Sequence, residues 1–72
     1  MMAEYVKMAD VSRNGTVRIG LRVGGVIVMT YLGYLDKRHR NTFMLYPERQ
    51  LRETPVSIPG KHEVSIFNVR GK

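Results

Sequence analysis

The contrast between apolar and polar residues is sharpest in the middle of the chain, where two apolar runs flank a polar, basic segment. The first run, residues 26–35, has no charged residue and is rich in β-branched and aromatic side chains, which favour strands. Gly24 and Gly25 precede the first run, and Pro47 follows the second run, which ends at Tyr46. Turn-forming residues therefore flank the two runs on both sides. The pattern predicts a long β-hairpin with a loop over residues 36–41.

Both faces of the first hairpin strand are predicted to be apolar. Successive side chains of a strand point to opposite faces, and in residues 26–35 even and odd positions alike are mostly apolar. Such a strand needs cover on both sides. We therefore expect it to lie centrally in a sheet or to face a second subunit.

Two strands are predicted before the hairpin. Residues 4–11 alternate loosely and predict an edge strand, followed by an Asn-Gly turn. Residues 16–23 alternate strictly and predict a half-buried strand with a basic outer stripe. Its inward positions are Val17, Ile19, Leu21 and Val23, and its outward positions are Thr16, Arg18, Gly20 and Arg22. Gly20 either lets a backbone or a base approach closely or marks a bulge.

The segment after the hairpin is predicted to contain a short helical turn. Pro47 suits the first position of a helix, and Glu48 suits its first turn. The helical turn is expected near residues 47–53 and to be ended by Pro55, because the residue before a proline avoids helical geometry.

The C-terminal part predicts a short strand at residues 56–58, a Pro-Gly turn and a last strand over residues 62–70. In the last strand the apolar side chains change parity at Ile66 and Phe67. This change indicates a bulge, or a strand that passes from one layer to another.

Length and composition indicate one all-β domain covering residues 1–72. A chain of 72 residues, 43% apolar, buries only about 60% of its unfolded surface. We expect a small barrel or sandwich of five strands, of the size of SH3 and OB domains, with the helical turn described above. There is no cysteine to form disulfides or a thiolate metal site, so a homodimer is expected to supplement the small core.

The N-terminus lacks the basic and apolar regions of a secretory signal. The longest uncharged run, residues 23–35, is too short for a membrane-spanning helix, which needs about 20 residues. The sequence predicts a soluble, cytoplasmic protein with no membrane partner.

The charge balance favours a polyanionic partner. Twelve Lys and Arg against six Asp and Glu give a net charge of +6 and a pI near 10.2. Each phosphate that a protein neutralises releases counterions, so this balance favours nucleic acid, DNA or RNA. The alternative is a basic surface that serves solubility.

The candidate binding residues are mostly basic. The hairpin loop supplies four in succession, the outer stripe supplies two, and an aromatic residue beside the loop is a candidate for stacking on bases. These predicted nucleic-acid-binding residues are Lys37, Arg38, His39, Arg40, Arg18, Arg22 and Tyr34. Tyr31 is a second stacking candidate, although aromatics in an apolar run are more often core. Arg49 and Arg52 form a third basic row at helical spacing.

Catalysis is not expected. The two histidines lie in separate basic contexts, the six acidic residues are scattered, and no nucleophile elbow or phosphate-binding glycine loop is present. No metal site or cofactor is predicted. The expected function is non-catalytic nucleic-acid binding. The alternative is a protein-interaction module, an inhibitor or assembly subunit, that docks through its apolar hairpin.

Three stretches resemble different families. Residues 10–15, Asp-Val-Ser-Arg-Asn-Gly, are similar to the D-x-S-x-x-G motif of PilZ domains, although the arginine pair of that family is absent upstream. This resemblance implies a cyclic-dinucleotide adaptor. Tyr46-Pro47 with residues 51–53, 59–60 and 64–66 resembles AbrB-like DNA-binding regulators. Residues 17–20 with 63–71 resemble CsrA-type RNA-binding regulators in the opposite chain order. The three resemblances exclude one another and assign no family.

Overall fold

The computed structural model describes residues 3–13, 15–38, 40–53 and 62–71, which fold into a curled antiparallel sheet with one short parallel pair. The strands are β1 (Ala3–Asp10), β2 (Val17–Val23), β3 (Val26–Leu35), β4 (Thr42–Gln50), β5 (His62–Ser65) and β6 (Val69–Arg70). A 3-10 turn, Ile66–Asn68, separates the last two. The sheet order is β5-β4-β3-β2-β1-β6, and the sheet forms a half-barrel. The all-β, barrel-like prediction is confirmed.

The predicted hairpin is β3 and β4, with β3 in the interior of the sheet as expected. Gly24 and Gly25 join β2 to β3 with φ values of 59° and 80°. Two residues with positive φ form the tight turn that matches the twist of a hairpin, and glycine adopts it without strain.

The core lies on the concave, inner face of the sheet. Its buried members are Val17, Ile19, Leu21, Val23, Val28, Tyr31, Phe43, Leu45 and Val64. All four inward positions predicted for β2 are confirmed. Tyr31 has no exposed surface, so the interpretation of Tyr31 as a base-stacking residue is wrong.

The helical turn predicted near residues 47–53 is wrong, because β4 continues to Gln50. Tyr31 pairs with Pro47 and Thr30 with Arg49, which leaves Glu48 as an additional residue at an irregularity of β4. Proline has no N–H to donate to a sheet and is tolerated where pairing is interrupted. The helical turn of this protein lies at Ile66–Asn68 instead.

The last predicted strand is two strands, so the described residues contain six strands where five were expected. β5 pairs with β4, and after the 3-10 turn β6 pairs in parallel with β1 at the other edge of the sheet. The parity change at Ile66 and Phe67 therefore marks a 3-10 turn between two strands, and not the predicted bulge or change of layer within one strand. A side-chain contact joins β1 to β5: the Tyr5 hydroxyl lies 2.5 Å from Nε2 of His62. The rings of both residues also contact the ring of Tyr31.

Gly20 is covered rather than open to a ligand. A Cβ at this position would lie 2.8 Å from Sδ of Met8 and 3.0 Å from Cδ1 of Ile27. The close approach of a base considered for Gly20 is therefore wrong, because the side chains of Met8 and Ile27 from the neighbouring strands pack over it.

Several predicted features lie outside the described residues: Asn14 of the first turn, His39, Pro55, the strand at 56–58 and the Pro-Gly turn that follows it. Within the described ranges, no helix has the length and apolar character to span a bilayer.

Candidate functional site

The hairpin loop between Leu35 and Thr42, which we call the tip, carries the densest group of cations. The Asp36 N–H donates to the Thr42 carbonyl at 3.1 Å, which closes the base of the loop. The Arg38 N–H donates to Oδ1 of Asp36 at 2.9 Å, an arrangement typical of a turn led by aspartate. These two hydrogen bonds order the start and the base of the tip, and the side chains of Lys37, Arg38 and Arg40 are exposed.

The tip cations differ in their pairing from Arg18 and Arg22, the other arginines predicted to bind nucleic acid. Lys37, Arg38 and Arg40 are exposed, and no carboxylate in the described part of the chain forms an ion pair with them. The ion pairs that are described are Lys7–Asp10, Arg18–Glu48, Arg22–Glu4 and Arg70–Glu4. The positive charge of the tip is therefore available to an outside anion.

Arg18 of β2 is held by a carboxylate from two strands away. Its Nε and Nη2 donate to Oε1 and Oε2 of Glu48 at 2.8 and 2.9 Å, a bidentate pair. The Thr30 hydroxyl donates to the same carboxylate at 3.1 Å. The hydrogen bonds from Arg18 hold the pKa of Glu48 below its ordinary value, since they favour the ionised carboxylate.

Arg22 is likewise engaged within the sheet. Its Nε donates to Oε1 of Glu4 at 2.6 Å, and Nη2 donates to the same oxygen. Nε of Arg70 lies 3.0 Å from the other oxygen of Glu4, so one carboxylate joins β1, β2 and β6. Hydrogen bonding to Arg22 lowers the pKa of Glu4. The two arginines of the outer stripe of β2 are thus balanced by acidic side chains, unlike Lys37, Arg38 and Arg40.

Tyr34 lies on the outer face of the sheet, beside the tip. It is 44% exposed, and its ring meets that of Tyr46 edge to face, with centroids 5.5 Å apart. We call these two residues the tyrosine pair. Tyr34 and Tyr31 occupy opposite faces of β3, one exposed and one in the core.

The predicted basic rows do not form one surface. Arg49 pairs with Thr30, and the Arg52 N–H donates to the Val28 carbonyl at 3.2 Å. Val28 and Asp36 are separated by most of β3, roughly 25 Å at the rise of a strand. The row of Arg49 and Arg52 therefore lies at the end of the sheet opposite the tip.

Sequence reasoning missed three residues of this region. Tyr46 completes the tyrosine pair, and Glu48 neutralises Arg18. Arg13 is exposed in the β1–β2 loop, which lies at the same end of the sheet as the tip because β2 starts opposite Gly33. Only Tyr46 had a usable signal: the hairpin register sets its position diagonally opposite Tyr34.

Among the described residues, no group of three or more potential metal-binding side chains comes together. Comparison of the chain with protein-family models, with curated proteins and with solved structures found no significant match.

Proposed function

We propose that this protein binds nucleic acid without catalysis and holds phosphates with the cations of the tip. The observation that carries the proposal is the contrast in pairing: Lys37, Arg38 and Arg40 extend from one short loop with no carboxylate partner among the described residues, whereas Arg18 and Arg22 are paired. Guanidinium groups bind phosphate bidentately, and a hairpin loop is narrow enough to follow a groove or a backbone.

The roles of the other predicted residues follow from the same contrast. Arg18 and Arg22 stay predicted contacts, but each must exchange a carboxylate for a phosphate in order to bind. Such an exchange gains less than a new contact, since the arginine is already satisfied. His39 stays a prediction from the sequence. The tip therefore supplies most of the expected salt dependence.

The test is replacement of Lys37, Arg38 and Arg40 together by alanine. We expect an unchanged circular dichroism spectrum, because exposed loop side chains contribute little to stability. Affinity for a polyanion should fall, and the slope of log affinity against log salt should become shallower by about 0.9 for each duplex phosphate that the variant no longer neutralises. A folded variant with unchanged affinity would remove the tip from the site.

A matched pair of double variants controls for net charge. Arg38→Ala with Arg40→Ala removes two exposed arginines from the tip, and Arg49→Ala with Arg52→Ala removes two from the opposite end. If location matters, only the first pair weakens binding strongly. Equal losses of affinity would indicate a general effect of net charge.

The second candidate function is a protein-interaction module that docks through the hairpin. Tyr34 and Tyr46 expose 44% and 37% of their surface on the outer face of the hairpin, as apolar contact residues do, and Leu35 at the end of β3 is 47% exposed. A tight complex with a protein that is insensitive to salt would favour this function over the first. The PilZ-like adaptor has no comparable support, since Asp10 of its motif is paired with Lys7.

A further inference from the structure

The outer face of the hairpin presents an aromatic surface directly below the tip. The rings of the tyrosine pair lie at 84° to each other, and Tyr34 and Tyr46 are opposite half-buried Met44 and Leu32 in the register of β3 and β4. The four side chains therefore share one face of two neighbouring strands. A partly apolar sheet surface with an exposed ring is suited to contact with a flat group.

The side chains on the outer face of the hairpin do not belong to the buried core. β3 directs Tyr31 and Gly33 to the inner face, where neither has appreciable exposed area, and Tyr34 lies on the opposite face. The ring of Tyr34 is thus left open to contact from outside.

The positive charge of the tip, next to this surface, indicates which class of ligand would bind there. Tyr34 precedes Asp36 by two residues, about 7 Å along a strand, and the tip cations Lys37 and Arg38 follow immediately. The ring of Tyr34 is therefore adjacent to the cations Lys37 and Arg38. Neither cation has a carboxylate partner among the described residues. A partner that offers flat groups and negative charges at similar intervals is a nucleic-acid strand.

We propose that Tyr34 stacks on an unpaired base of a single nucleic-acid strand while the tip binds the neighbouring phosphates. This inference rests on the proposed function and adds its substrate class. Paired bases in a duplex are stacked on each other and present only their edges in the grooves. A ring on a sheet surface therefore meets the face of a base only where the strand is single.

The test compares an oligothymidine of about 16 nucleotides, near the upper site size of small single-strand-binding barrels, with a duplex of equal length. Tyr34→Leu keeps an apolar side chain but removes the ring. We expect single-strand affinity to fall roughly 5- to 100-fold and duplex affinity to stay unchanged. The matched control is Phe67→Leu, which removes an aromatic ring that is 80% exposed on the 3-10 turn; it should change neither affinity.

A fluorescent reporter measures the stacking itself. The chain has no tryptophan, so Tyr34→Trp introduces a single indole at the proposed contact. Its emission should be quenched by saturating oligothymidine and retained with the duplex. Saturating single-strand binding without quenching would overturn the stacking.

The possible failures are distinguishable. If Tyr34→Leu keeps full single-strand affinity while the triple tip variant loses it, the stacking is overturned and the proposed function stands. If the wild type binds neither nucleic acid in a salt-dependent manner, the proposed function fails and the stacking with it. If Tyr34→Leu lowers self-association but not strand affinity, the surface belongs to a second copy, and the stacking is overturned.

Discussion

At the scale of single residues, the absence of a methyl group at Gly33 sets how closely β2, β3 and β4 pack. A Cβ there would lie 2.8 Å from Cδ1 of Ile19, and 3.2 Å from both Cδ2 of Leu45 and Cγ2 of Val17. Three branched side chains therefore fill the space in front of the glycine. The position requires glycine for packing and not for a turn.

We expect Gly33→Ala to lower the free energy of unfolding by roughly 1–3 kcal/mol, because overpacking a filled core forces side chains from their preferred rotamers. Urea denaturation measures this decrease. Gly71→Ala is the matched control, since a Cβ there meets nothing within 4 Å. Equal stability of the two variants would show that the core at Gly33 adapts without strain.

The sequence predicted burial well where alternation is strict and poorly where it is absent. In β2 one parity is apolar and the other is not, so the inward positions were predicted correctly. In β3 both parities are apolar, and nothing local distinguishes Tyr31 from Tyr34. Tyr31 is buried because Tyr5 and His62, distant in sequence, pack against it.

At the scale of elements, β4 shows how a tertiary contact overrides local preference. Pro47 and Glu48 satisfy the rules for a helix start, yet both lie in a strand. The irregularity at Glu48 accommodates the proline and leaves the carboxylate on the outer face, where Arg18 and Thr30 bind it. Arg18 and Glu48 are 30 positions apart, so no local pattern reveals their pairing.

The same ion pair predicts sensitivity to acid. The folded-state pKa of Glu48 is below its ordinary 4.5, chiefly through hydrogen bonds from Arg18, so the unfolded chain binds a proton more readily. The contribution of this pair is therefore present above about pH 4.5 and is lost as the pH falls through the folded-state pKa. Glu48→Gln should be less stable than wild type at neutral pH and should lose less stability on acidification.

Thermal unfolding at neutral pH and at successive values below 4.5 measures this difference. Glu63→Gln is the control: Glu63 is an exposed residue of β5 outside the described ion pairs, and the variant should follow the wild-type acid dependence. If Glu48→Gln and the wild type lost stability in parallel, the pair would contribute nothing to the acid response.

At the scale of the whole molecule, the predicted homodimer has a restricted choice of surface. The inner face of the hairpin is filled by the chain's own core, so a second copy has to cover the outer face. Because one surface cannot hold two occupants, we expect self-association in the absence of nucleic acid and its loss when oligothymidine binds. Sedimentation equilibrium measures both, and a wild type that stays monomeric at high micromolar concentration would exclude the dimer.

Length, turn residues and strand patterns were enough to predict a small all-β molecule. They did not predict which strands near the two ends of the chain come together. The contact between Tyr5 and His62 joins residues 57 positions apart, and the β1–β6 pairing spans even more of the chain. Neither residue type nor spacing indicates that these positions meet. The common location of the tip and the tyrosine pair, by contrast, follows directly from the hairpin register.

The pairing of β6 with β1 also affects the protein while it folds. β1, β2 and β3 are consecutive and pair through short connections, whereas β6 follows all the other strands in sequence. One edge of β1 has no partner until Val69 and Arg70 have paired with it, and an open strand edge is a template for pairing with other chains. A chain in which β6 has not yet paired is therefore exposed to aggregation along this edge of β1.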